Sequence, residues 1–254
     1  MKNMKKESRK GQVTVFVIIA VVIIAAVAGV LLMRGGVGTS VVPVPAEFKI
    51  IQDGVGNCLK NASLEGIYFI GLQGGYYNVP EPKENYEFLN IPVYLNKGVK
   101  AVPSETIIEG QLKAAMNDSL TLCLNNFNSY KAQGYSFDGT NIKSLKTDIS
   151  GDKIITTLDW PVAVKKGEST YILRSFRQET NFDFPKKYNL VKQFVDEQAK
   201  DMQAIPISYM ANLAYDNDFL IETIELTNTT TLYTFAFNET YGGQEYLYNF
   251  VVKY

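Results

Sequence analysis

Apolar positions along the chain change rhythm four times. Residues 13–33 are apolar without interruption by charge, with Thr14 the sole hydroxyl. At about 1.5 Å rise per residue such a helix spans roughly 30 Å, the thickness of a bilayer hydrocarbon core. The pattern predicts a transmembrane helix within 12–34. A linker over 35–45 follows, flexible at its glycines and extended at Pro43-Val44-Pro45. From Ala46 a helical period begins: Phe48, Ile51, Val55, Cys58, Ala62, Phe69 and Ile70 share one face. That helix is expected to stop at Gly74-Gly75. Pro103-Ser104-Glu105 announces a second helix with Ser104 as N-cap. Its apolar face runs Ile108, Leu112, Met116, Leu120, Cys123, Phe127.

Period two then takes over. Strands are expected over 143–148, 153–160 and 170–176, separated by Ser150-Gly151-Asp152 and Lys165-Lys166-Gly167. Leu190, Val191, Phe194, Val195, Gln198 and Met202 mark a third helix, and a shorter one covers 206–215. Three strands close the chain, over 219–226, 231–237 and 245–254. In the last, Tyr246, Tyr248, Phe250, Val252 and Tyr254 alternate onto one face. The fold class expected for 46–254 is α+β, amphipathic helices packed on antiparallel sheet. Helices then strands, twice over, suggests a duplicated unit divided near 181–185. Gly167-x-x-x-Tyr171 matches Gly242-x-x-x-Tyr246 in spacing.

Charge orients the apolar stretch. Lys2, Lys5, Lys6, Arg9 and Lys10 precede it with only Glu7 opposing; Arg34 follows, and then no charge until Glu47. The positive-inside rule places the basic leader, 1–11, in the cytoplasm and 46–254 outside, in a single-pass membrane topology. Membrane lipid is then a partner through 13–33. Five cations and one anion leave with the leader, so the net charge of −1 becomes −5 without it. An acidic exterior argues against nucleic acid as a partner. At 46% hydrophobic and 20% charged, the chain has the composition of a folded protein.

The run Lys5-Lys6-Glu7-Ser8-Arg9-Lys10-Gly11-Gln12-Val13 resembles the class III signal peptide of archaeal type IV pilins and archaellins. The resemblance implies cleavage between Gly11 and Gln12, retention of the apolar helix, and self-assembly into a filament. It covers about the first 35 residues, and Phe16 stands where many pilins carry a glutamate. The segment Gly71-Leu72-Gln73-Gly74-Gly75-Tyr76 is similar to one in membrane proteins of small-genome archaea, a likeness that implies no activity.

The chain has no histidine. Ser-His-Asp and Cys-His catalysis and His-ligated zinc or haem are therefore excluded. Phosphate-loop and dinucleotide glycine patterns are also missing. No catalytic residues, metal or cofactor are implied, and a non-enzymatic role is expected. Cys58 and Cys123 are the only cysteines, each on the apolar face of its helix. In an oxidising exterior they are expected to form a disulfide; two free buried thiols are the alternative. Gln73, Gly74, Gly75, Tyr76 and Tyr77 read either as a glycine turn presenting tyrosines to a sugar or peptide, or as a helix terminus with its tyrosines packed inward. Asp216-Asn217-Asp218 offers oxygens to a calcium ion but lacks the regular loop of a calcium motif, so it reads as a turn. Four sequons, at Asn61, Asn117, Asn228 and Asn238, fit a glycosylated exterior. Asn228 and Asn238 are the better acceptors, flanking the strand expected over 231–237. The functions left open are a pilin-like filament subunit, a monomeric anchored domain that binds an envelope protein or glycan, and, ranked last, a membrane-anchored enzyme with a carboxylate or Ser-Lys mechanism that needs no histidine.

Overall fold

A computed structural model describes residues 44–125, 128–139 and 141–254. The Gly11-Gln12 junction, the 13–33 span and Phe127 lie outside the described residues. Among the described residues no helix is long and apolar enough to cross a membrane. Residues Ala46–Tyr254 form one compact unit.

Helix α1 covers Ala46–Leu72 and buries Phe48, Ile51, Val55, Cys58, Leu59, Ala62, Ile67 and Ile70, the face its periodicity predicts. Its interior glycines do not break it. A Cβ at Gly66 would come within 2.9 Å of Leu112 Cδ1, so the missing side chain is what lets helix α2, Glu105–Asn125, lie close. Ile107 N–H donates to Ser104 Oγ at 3.3 Å, the expected N-cap of α2. Ile108, Leu112, Met116 and Leu120 of α2 are all fully buried. Cys58 and Cys123 are disulfide-bonded across these helices, with Cα atoms 5.9 Å apart.

Between the two helices lie three strands that periodicity did not show: β1 (Lys83–Tyr86), β2 (Leu89–Asn96) and β3 (Val99–Lys100). Ile91, Val93, Tyr94 and Leu95 of β2 are buried on both faces, so the strand lacks the alternation that marks a half-exposed one. Pro80, Pro82 and Pro92 further mask it. A short helix α3 (Asn128–Ala132) and strand β4 (Tyr135–Asp138) follow α2.

The four-stranded sheet is built on β6 (Lys153–Lys166). Strand β5 (Ser144–Ser150) pairs with its first half and β4 with its second, while β7 (Ser169–Asn181) runs along its other side. Both β6 and β7 are longer than expected, because their mutual pairing carries β6 on to Lys166 at the hairpin and β7 on to Asn181, opposite Lys153 at the start of β6. Asp183 accepts from Lys186 N–H and Pro185 follows, which starts helix α4 at Phe184–Gln198, a turn and a half before the first apolar position that marked it. Helix α5 (Ile207–Asn217) ends on Asp218 in the left-handed conformation, φ 55°.

The second sheet runs β1-β2-β10-β9-β8, with β3 beside β2. Here β8 is Phe219–Thr227, β9 Thr230–Tyr241 and β10 Gln244–Lys253. The expected antiparallel sheet is corrected at one place: β10 pairs with β2 in parallel. Antiparallel neighbours can be joined by tight turns, but β2 and β10 come from distant parts of the chain and meet only on folding. A division at 181–185 would part these two strands. Tyr246, Tyr248, Phe250 and Val252 do face one side together and are buried. Tyr248 and Phe250 stack under α4, with Phe194 and Phe250 ring centroids 5.9 Å apart and Tyr188 and Tyr248 5.8 Å apart.

Candidate functional site

The segment after α1 turns inward. Gly74 and Gly75 adopt φ of 56° and 79°, and a Cβ on Gly74 would meet Pro92 Cγ at 2.5 Å. Gln73 is buried; its side-chain amide donates to the carbonyls of Tyr76 and Tyr77, both at 3.2 Å. The Tyr94 hydroxyl donates to Gly74 O at 2.7 Å and also meets the Tyr248 hydroxyl. Gln73, Gly74, Gly75 and Tyr76 are thus the corner that joins α1 to β2 and β10. Tyr77 alone of the five reaches the surface, where its hydroxyl bonds to Asp118, and that bond raises its pKa.

Beside this corner lies an open groove of 660 Å³, with α1 as one wall and the β9–β10 hairpin as the other. Its lining is Glu65, Tyr68, Phe69, Leu72, Tyr241, Gln244, Glu245 and Leu247. The size falls within the range of about 300–1,000 Å³ usual for ligand pockets. Helical spacing set Phe69 on the buried face; it is instead 40% exposed, because at the last turn of α1 that direction opens on the groove. The Tyr68 ring is held from behind by its hydroxyl, which donates to Glu239 O at 3.0 Å. It stands 5.8 Å from Tyr241 and 5.2 Å from Tyr246. Burial, then the charge of Glu239, pushes the Tyr68 pKa up to about 12. Burial and the Glu65 carboxylate raise that of Tyr241. Glu65 and Glu245 are exposed, and neither forms an ion pair among the described residues.

Behind Tyr68 the buried ammonium of Lys187 bonds to the Glu239 carboxylate and to Asp183 O, the latter at 3.3 Å. It lies over the Phe182 ring at 4.9 Å, and Phe182 in turn packs 4.8 Å from Tyr246. The Tyr246 hydroxyl is buried and has no hydrogen-bond partner among the described residues. Nothing in the charge pattern of 181–190 distinguishes Lys187 from the exposed Lys186 beside it, so sequence reasoning missed this site.

The resolved pKa shifts lead away from neutrality. Tyrosines rise, chiefly through burial, as at Tyr94 and Tyr248. Lys153 and Lys200 rise and Glu179 falls through their ion pairs. Among the described residues no cluster of three or more cysteines or carboxylates is placed to hold a metal. What the groove presents chemically is an aromatic floor flanked by two carboxylates that form no ion pair among the described residues.

The sequons are dispersed. Asn61 and Asn117 are exposed on α1 and α2, and Asn228 is exposed at the β8–β9 turn. Asn238 does not flank its strand: β9 continues to Tyr241, because Gly242 and Gly243, at φ 61° and 82°, set the turn there. Its side-chain amide already donates to Asp218 O at 2.8 Å. Comparison of the chain with protein-family models, curated proteins and solved structures finds no match.

Proposed function

We propose that this chain is a membrane-anchored, extracytoplasmic, non-enzymatic surface protein that works as a pilin-like filament subunit. The observation that carries the reading is the basic leader ending at Gly11, followed directly by the uninterrupted apolar stretch 13–33. A retained apolar helix at the start of the mature chain is the element through which such subunits associate. The folded unit suits that role mechanically. Its first helix begins at Ala46, next to the linker, and is tied to α2 by the Cys58–Cys123 disulfide, so a pull on the anchor is shared by two packed helices.

The groove favours a second reading, a monomeric anchored domain that binds an envelope component or partner protein. The two are separated by the N-terminus of the protein recovered from membranes. A filament subunit begins at Gln12, and Gly11→Val blocks that cut. Recovery of a native chain that begins anywhere from Met1 to Lys10 defeats the filament reading and leaves the anchored domain. Protease added to intact cells tests the topology common to both: the region beyond Gly36 is digested and the leader is spared.

A further inference from the structure

We propose that the groove between α1 and the β9–β10 hairpin docks a peptide segment of another protein through an arginine or lysine side chain flanked by apolar residues. The inference is independent of how the N-terminus is processed.

Charge complementarity selects the occupant. The two walls carry Glu65 and Glu245, one on each side, and no lysine or arginine lines the space between them. Both carboxylates lack an ion-pair partner among the described residues, although the domain pairs others readily, as with Glu239 to Lys187 and Glu179 to Arg177. Between the carboxylates the floor is aromatic. Tyr68 and Tyr241 stand 5.8 Å apart, and Phe69, 40% exposed, extends the surface toward Tyr77 at 5.7 Å. A cation is attracted both to the negative faces of such rings and to the flanking carboxylates. A guanidinium further matches a carboxylate through two parallel N–H donors. Leu72 and Leu247 leave room for an apolar neighbour on the same segment. A neutral sugar would use the rings but not the two charges, and an acidic ligand would be repelled by them.

The site is also formed in advance. The Tyr68 hydroxyl is anchored to Glu239 O at 3.0 Å, and Gly71 lets α1 approach β10 so closely that a Cβ there would stand 2.6 Å from Leu247 O. Binding therefore does not have to order the floor, which preserves affinity.

The test uses the full chain in lipid nanodiscs and a fluorescent acetyl-Leu-Arg-Phe-Leu amide, with its citrulline counterpart as an uncharged control of the same shape. Saturable binding of the arginine peptide is expected, with the citrulline peptide weaker by about tenfold, the size of one well-placed charge contact. The double variant Glu65→Gln, Glu245→Gln should bring the arginine peptide down to the citrulline level while near-ultraviolet dichroism stays unchanged. Phe69→Ser should weaken both peptides. Equal binding of the two peptides, no saturable binding of either, or arginine-peptide binding that survives loss of both carboxylates would overturn the proposal.

Discussion

The ammonium of Lys187 on α4 and the carboxylate of Glu239 on β9, 52 positions apart in the chain, form an ion pair of unequal burial. The Lys187 side chain is 5% exposed and that of Glu239 is 51% exposed. The difference sets which partner can be lost more cheaply. Glu239→Gln leaves a buried ammonium with Asp183 O and two aromatic rings, so it should cost about 2–3 kcal/mol. That is below the roughly 3–5 kcal/mol of a fully buried pair, because Glu239 is half in water. Lys187→Met keeps the stem and leaves a carboxylate that water can reach, so its cost should be smaller, about 1 kcal/mol. Urea midpoints of the two variants check the order; a larger loss for Lys187→Met would contradict it.

The Cys58–Cys123 bridge spans a sequence separation of 65. On the chain-entropy account its removal should lower stability by about 4 kcal/mol. Cys58→Ser should be nearly as destabilising as the double variant, since either change opens the loop. Thiol titration of the denatured, unreduced protein should find no free thiol; two free thiols would remove the bridge from the account.

Two glycine substitutions should act in opposite directions. Gly71→Ala forces a Cβ to within 2.6 Å of Leu247 O and 2.7 Å of Tyr246 Cε2, both fixed in β10. The overpacking should cost about 1–3 kcal/mol. Gly110→Ala, inside α2 with nothing within 4 Å, should instead stabilise by about 0.5–1 kcal/mol through helix propensity. Melting temperatures of the pair read both signs at once.

Alkali should unfold the domain in a definite window. Burial, then Glu239, holds Tyr68 neutral to about 12 against an ordinary 10.0, and burial raises Tyr94, Tyr246 and Tyr248 in the same direction. A folded-state pKa above the unfolded one contributes stability that is whole below about pH 10 and is lost as pH rises through about 12. Tyrosinate absorbance of the buried rings should therefore rise together with loss of near-ultraviolet dichroism, at a pH above about 10. Ionisation of all the tyrosines at their ordinary pKa, with the dichroism intact, would show that these rings are not buried.

Legibility followed the range of the interaction. The buried face of α1 from Phe48 to Ile70, the cap at Ser104 and the inward row Tyr246, Tyr248, Phe250 and Val252 were readable, because helix and strand periods repeat within a few residues. The limits of β9 were not, since Thr240 and Tyr241 are drawn into the strand by pairing with β10 beyond a bulge at Asn238 and Glu239, rather than by any apolar pattern of their own.

By itself the sequence determined the α+β class, most of the amphipathic elements and the pair of cysteines able to meet, since each is written in local spacing. Tertiary structure alone decided that β2 lies parallel to β10, that Lys187 is buried while Lys186 is not, and that Phe69 faces an open groove between Glu65 and Glu245. These outcomes depend on which distant surfaces pack together. A side chain's exposure and charge partners are fixed only when a second element, remote in the chain, closes over it or fails to.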